Sequence, residues 1–203
     1  MLVIGIITIS FLTYYVENGI TRKNYFYGNA IASIGLSIVI PILIYALNLA
    51  EKFIINKFTS TVINENVLGE ALEEVAIDMN GNIIGEIIQS FIFSPSISPA
   101  SSLLLSLALF SLNIFVFYII GWLIGAAFKR LGVIGGILFI FIGLAIAALK
   151  DSMIRLAMDI PLLGNFSFLN IIPDTLALPV VLVLIVVTFI FIRLLTKKTP
   201  IKI

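Results

Sequence analysis

The 203-residue sequence contains no cysteine and no histidine. Without cysteine there are no disulfides, no thiol nucleophile and no thiolate metal ligand, and the redox compartment cannot be read from cysteine usage. Without histidine, zincin motifs, Ser-His dyads and imidazole ligation are excluded together. Charge is also scarce: only 11% of residues are charged, and the formal net charge is +1. The basic residues fall in twos and threes between apolar runs rather than in one patch, so nucleic acid is not an expected partner. No Gly-x-x-x-x-Gly-Lys-Ser/Thr pattern occurs, so the chain does not carry its own P-loop for ATP.

Apolar surface is abundant, at 61% hydrophobic residues. Runs of about 18 or more such residues suit a bilayer, because roughly 20 helical residues cross about 30 Å of hydrocarbon. Five candidates stand between the charges, at about 1–16, 28–50, 103–127, 131–149 and 176–196. The fold class expected is all-α: a polytopic helical membrane protein of about five spans, forming one transmembrane domain over residues 1–203. Met1–Val16 is short, but it lacks the basic start and small-residue cleavage pattern of a signal peptide and reads as a span.

Alternating the spans gathers Arg22, Lys23, Lys129, Arg130, Arg193, Lys197, Lys198 and Lys202 on one side, eight of the twelve basic residues. The other side takes ten of the eleven acids, all but Glu17. The positive-inside rule makes the first side cytoplasmic, and with it the C-terminal tail. An odd span count then puts the N-terminus outside with no positive cluster to hold it there. A missing upstream span would remove that difficulty.

Two outer segments follow. Residues 51–102 carry Lys52 and Lys57 against seven carboxylates. Within them Val67, Leu68, Ala71, Leu72, Val75 and Met79, and then Ile83, Ile84, Ile87, Ile88 and Phe91, recur at helical spacing, so each stretch reads as an amphipathic helix. Glu70, Glu73 and Glu74 form a solvated face or attract a basic partner. Asp78-Met79-Asn80-Gly81-Asn82 resembles the start of a calcium loop but places its glycine too early. Residues 150–175 read as short helices with breaks, dipping into the membrane. There Asp151, Arg155 and Asp159 stand at i, i+4 spacing and would brace a surface helix.

Inside the spans, Gly121 and Gly125, then Gly132, Gly136 and Gly143, form small-residue stripes that permit close helix packing or a sliding surface. Pro41 is expected to kink the second span, and Trp122 and Tyr118 to anchor or pack the third. No carboxylate or lysine stands in the middle of a span, which argues against an ion-driven carrier, a channel or an intramembrane protease. No catalytic pair is found, and no metal ligand set.

The first cytoplasmic connection is the most informative stretch. Gly19 allows a sharp turn, Thr21 caps the next helix, Arg22 and Lys23 face water, and Tyr25, Phe26 and Tyr27 enter the interface. An ordinary positive-inside turn with an aromatic belt accounts for these residue types. The order Gly19-Ile20-Thr21-Arg22-Lys23, followed by aromatics and Gly28, also resembles the Gly-hydrophobic-Thr-Arg-Lys turn of permease subunits in type-2 exporter-class ABC transporters of Gram-positive bacteria. That resemblance implies a six-span permease, here lacking its first span, with re-entrant helices at 150–175 and a partner chain that hydrolyses ATP. It implies no cofactor in this chain. Glu17, Asn18, Gly19, Thr21, Arg22, Lys23 and Tyr25 would couple to a cytoplasmic ATPase, and two permease chains, identical or different, would form a dimer in the membrane lipid. The long segment 51–102 departs from the simplest members of the family.

The function expected is export of an amphipathic or hydrophobic substrate, peptide or antibiotic-like, by alternating access. The alternative is a non-transporting immunity or assembly factor that binds partners through its acidic outer helices.

Overall fold

The computed structural model describes residues 1–58, 82, 85, 102–162, 164–197 and 199. Helix dominates them, no strand occurs among them, and three helices are long and apolar enough to cross a membrane. The chain is an all-α helical membrane protein. The amphipathic helices expected over 67–91, with Glu70, Glu73 and Glu74, lie outside the described residues.

In chain order the helices are α1 (Leu2–Thr8), α2 (Phe11–Glu17), α3 (Arg22–Phe58), α4 (Leu103–Ala157), a 3-10 helix (Gly164–Ile171) and α5 (Asp174–Lys197). The first expected span is thus two helices of seven residues each, and Leu2–Glu17 is shorter than the three membrane-length helices. The break has a local cause. The amide of Ser10 bonds the Ile7 carbonyl and that of Leu12 the Ile9 carbonyl, both three residues back, so the helical ladder changes step between Thr8 and Phe11. The carbonyls this disturbs are met from other elements: the Tyr25 hydroxyl donates to Thr8 O, and Lys129 Nζ donates to Ile9 O at 3.2 Å and to Thr13 Oγ1 at 2.9 Å.

α3 continues on both sides of the expected second span, over 37 residues with Pro41 inside it. At 1.5 Å per residue that is roughly 55 Å, more than the hydrocarbon thickness. α4 runs over 55 residues but is folded at Gly132, whose φ of 75° and ψ of −166° place it in a region open almost only to glycine. The two legs, 103–131 and 133–157, form an antiparallel hairpin. Its register is symmetric about the turn: Gly136 lies against the Phe128 ring, Gly143 against Ile120 and Ile124, and Lys150 against Asn113. Positions 136, 143 and 150 recur every seven residues, the spacing that keeps one face of a helix on its neighbour. Gly132 itself has open space where its Cβ would be, so it makes the turn instead of joining the packing stripe expected of it.

α1 lies parallel to the first leg of α4 at backbone contact. A Cβ on Gly5 would strike Tyr118 O, one on Gly121 Leu2 O, and one on Gly125 Ile6 O. Three glycines on two helices make this approach possible, as small residues do between membrane helices. The core then closes around Trp122, which is fully buried against Phe26, Tyr118 and Phe189. Because α5 bonds the first leg through Arg130 and Leu194 and bonds α3 through Lys197 and Arg22, the α2–α3 turn, the Gly132 turn and the end of α5 share one end of the bundle.

Candidate functional site

The turn from Glu17 to Arg22 is built by two helix ends placed back to back. α2 closes with the Gly19 amide on Val16 O at 3.0 Å and the Ile20 amide on Tyr15 O at 2.9 Å, the paired bonds of a Schellman end, with Gly19 at φ 82°. Two residues on, Thr21 Oγ1 accepts the Asn24 amide at 3.2 Å and caps the start of α3. Asn18 adds a bond from Nδ2 to Tyr14 O at 2.8 Å. These bonds brace the turn from within, and Glu17, Asn18, Gly19, Ile20, Thr21 and Lys23 are all exposed on it.

The same turn is tied to three other elements. Arg22 Nη1 donates to Lys197 O at 2.7 Å, and Arg193 Nη1 donates back to Arg22 O at 3.3 Å, which fastens it to the end of α5. Tyr25, only 3% exposed, reaches Thr8 in the α1–α2 break, and Thr8 Oγ1 lies 2.9 Å from the Tyr118 hydroxyl on the first leg of α4. Of the seven residues expected to couple to a partner, five are exposed, Arg22 is half-buried and Tyr25 is buried. Tyr25 and Arg22 are therefore the links inward, while Glu17, Asn18, Gly19, Thr21 and Lys23 form the outward face. Beside that face a cleft of about 250 Å³ opens between Tyr15, Ile20, Asn24 and Asn29.

Lys129, Arg130 and Arg193 belong to this end too, and sequence reading treated them only as topology signals. Their structural work is to meet carbonyls at helix breaks and ends, Ile9 O for Lys129 and Leu194 O for Arg130. For Lys129 and Arg130 the signal was a basic pair beside Gly132.

A second polar cluster occupies the opposite end of the hairpin. Lys150 is 1% exposed and Asp151 is not exposed at all. Lys150 Nζ donates to Asn113 Oδ1 at 2.6 Å and lies over the Phe117 ring at 5.4 Å, while Arg155 Nε donates to Asp151 Oδ2 at 2.8 Å. This corrects the surface helix expected of Asp151, Arg155 and Asp159. Asp151 and Arg155 do pair at i, i+4, but within the bundle, and Asp159 stands beyond the helix end at φ 54°. The second leg simply continues past Lys150 to Ala157, so only the stretch after it is broken, with the 3-10 helix exposing Phe168 and Ile171.

Comparison with family models, with curated proteins and with solved structures gives no match. What the site can do must come from its own geometry. The site is an exposed, braced knob joined by hydrogen bonds to α5, to α1 and, through Thr8, to the first leg of α4.

Proposed function

We propose that this chain is the membrane permease subunit of an ABC exporter, working with a separate ATPase at the end of the bundle that carries the basic residues. The observation that carries the reading is the α2–α3 turn: exposed, self-braced, and bonded through Arg22 to α5 and through Tyr25 to α1. A push on such a knob moves helices instead of bending a loop. Combined with the Gly19-Ile20-Thr21-Arg22-Lys23 order, it supports a coupling role more directly than a passive connection would require.

The cargo consistent with this interior is amphipathic or hydrophobic. A groove of about 370 Å³ between both legs of α4 and α5 is walled by Leu123, Phe139, Ile146, Val180, Leu184 and Phe191. The hydroxyl of Thr188, also on its wall, is bonded to Leu184 O. Such a surface offers a sugar or ion nothing. Two permease chains and two ATPases would alternate access as ATP closes the ATPases.

The test is affinity purification of the tagged chain from its own membrane, with identification of what accompanies it. A Walker-motif ATPase in stoichiometric amount is expected, and Lys23→Glu, at an exposed position outside the internal bonding, is expected to release it without loss of membrane insertion. No ATPase under conditions that preserve a known transporter would end this reading.

A further inference from the structure

The last turn of α5 is ringed by guanidinium groups. Arg193 lies just before it, Arg130 reaches Leu194 O at 2.7 Å from the Gly132 hairpin, and Arg22 reaches Lys197 O at 2.7 Å from α3. Lys197 adds a fourth charge, and among the described residues the only acid at this end is Glu17. Each of these bonds uses one arm of a planar group that has five N–H donors, so donors remain for a ligand. Running up from this ring along α5 is an outward-facing groove of about 310 Å³ lined by Phe26, Val186, Phe189, Ile190, Arg193 and Leu194. Its walls are apolar except at the ring, where the Arg193 guanidinium rests on the Phe26 face at 5.3 Å.

We infer that this groove is a binding site for an anionic glycerophospholipid of the leaflet at the basic end, with an acyl chain along α5 and the phosphate on Arg193 and Arg130. The shape asks for a molecule with a long apolar part, which rules against free phosphate. The charge asks for an anionic head, which rules against a zwitterionic one. Basic pockets between membrane helices hold anionic headgroups by this combination, each arginine near the surface favouring them by about fivefold. The inference does not rest on the transport reading: a lipid held here would brace the end of α5 against α3 and the hairpin whatever the bundle does.

Trp122 supplies the measurement, since it is the only tryptophan in the sequence. It is buried behind the groove's own walls, with ring centroids 5.3 Å from Phe26 and 6.3 Å from Phe189, so a lipid in the groove is one aromatic side chain away from it. The full chain is reconstituted in phosphatidylcholine vesicles, and Trp122 fluorescence is titrated with phosphatidylglycerol or phosphatidylcholine carrying brominated acyl chains. Stronger quenching by the brominated phosphatidylglycerol is expected, with its relative affinity falling about fivefold in Arg193→Gln and again in Arg130→Gln, and largely kept in Arg193→Lys. High salt should weaken the preference in the unmodified chain, which gives a readout if a variant fails to insert. Equal quenching by the two lipids, or a preference that survives Arg193→Gln and salt alike, would overturn the site. A Trp122 response to soluble glycerophosphate as large as the response to the lipid would also overturn it, because the groove would then contribute nothing.

Discussion

At the scale of one residue, Gly132 is constrained by its backbone angles and not by its neighbours. Its φ of 75° with ψ of −166° is a backbone state that a Cβ makes costly, although there is open space around it. Gly132→Ala is therefore expected to destabilise the protein by about 1–3 kcal/mol, read as a lower unfolding temperature in detergent. Gly35→Ala, in open space within α3, is expected to be neutral or slightly stabilising, by up to about 1 kcal/mol. Equal effects would mean that the hairpin does not depend on this turn. Sequence spacing grouped Gly132 with Gly136 as a packing pair, because spacing reports a helix face and not a backbone angle. It was a better guide at Gly121 and Gly125, which do face a neighbour at backbone distance, but it could not say that the neighbour is α1 with its own Gly5.

At the scale of elements, buried charge was least visible in advance. Lys150 and Asp151 stand where an apolar run ends, and a charge there reads as the start of a water-facing loop. The hairpin register instead brings Asn113 opposite Lys150 and keeps the helix going. Eighteen residues beyond Gly132, Lys150 lies roughly 27 Å along the leg, near the far edge of the hydrocarbon, where a polar side chain from the facing leg helps to accommodate it. Asn113→Leu is expected to cost about 1.5–3 kcal/mol, the value of a hydrogen bond to a charged group, with Asn113→Gln costing less. Lys129→Met should cost a similar amount by removing the charged donor to Ile9 O and Thr13 Oγ1 at the α1–α2 break. Thermal unfolding of each variant in detergent checks both, and no shift would show these bonds to be incidental. The break itself was hidden in the sequence, because Ser10 and Thr8 disturb an apolar run no more than other hydroxyls do.

At the scale of the whole molecule, alternation of the basic residues foresaw which segments share an end of the bundle. The α2–α3 turn, the Gly132 turn and the end of α5 meet at one end, as the distribution of Arg22, Lys129, Arg130 and Arg193 implied. Direct bonds between these segments were not foreseeable, since spans of known direction can still be packed in many orders. The absence of native cysteine makes the orientation easy to test with single cysteines. A membrane-impermeant thiol reagent applied to intact cells should label Phe168→Cys, on the exposed 3-10 helix, and spare Ile20→Cys. Labelling of position 20 alone would invert the topology.

The coupling role of the α2–α3 turn is tested most directly at Ile20, which is 38% exposed at the tip of the braced turn. A single cysteine placed there carries a short photo-crosslinker in the native membrane, and the crosslinked product is identified by mass spectrometry. A Walker-motif ATPase joined at position 20, with a yield that changes when ATP is supplied, is the predicted result. Crosslinks only to lipid or to unrelated proteins, with the chain correctly inserted, would contradict it.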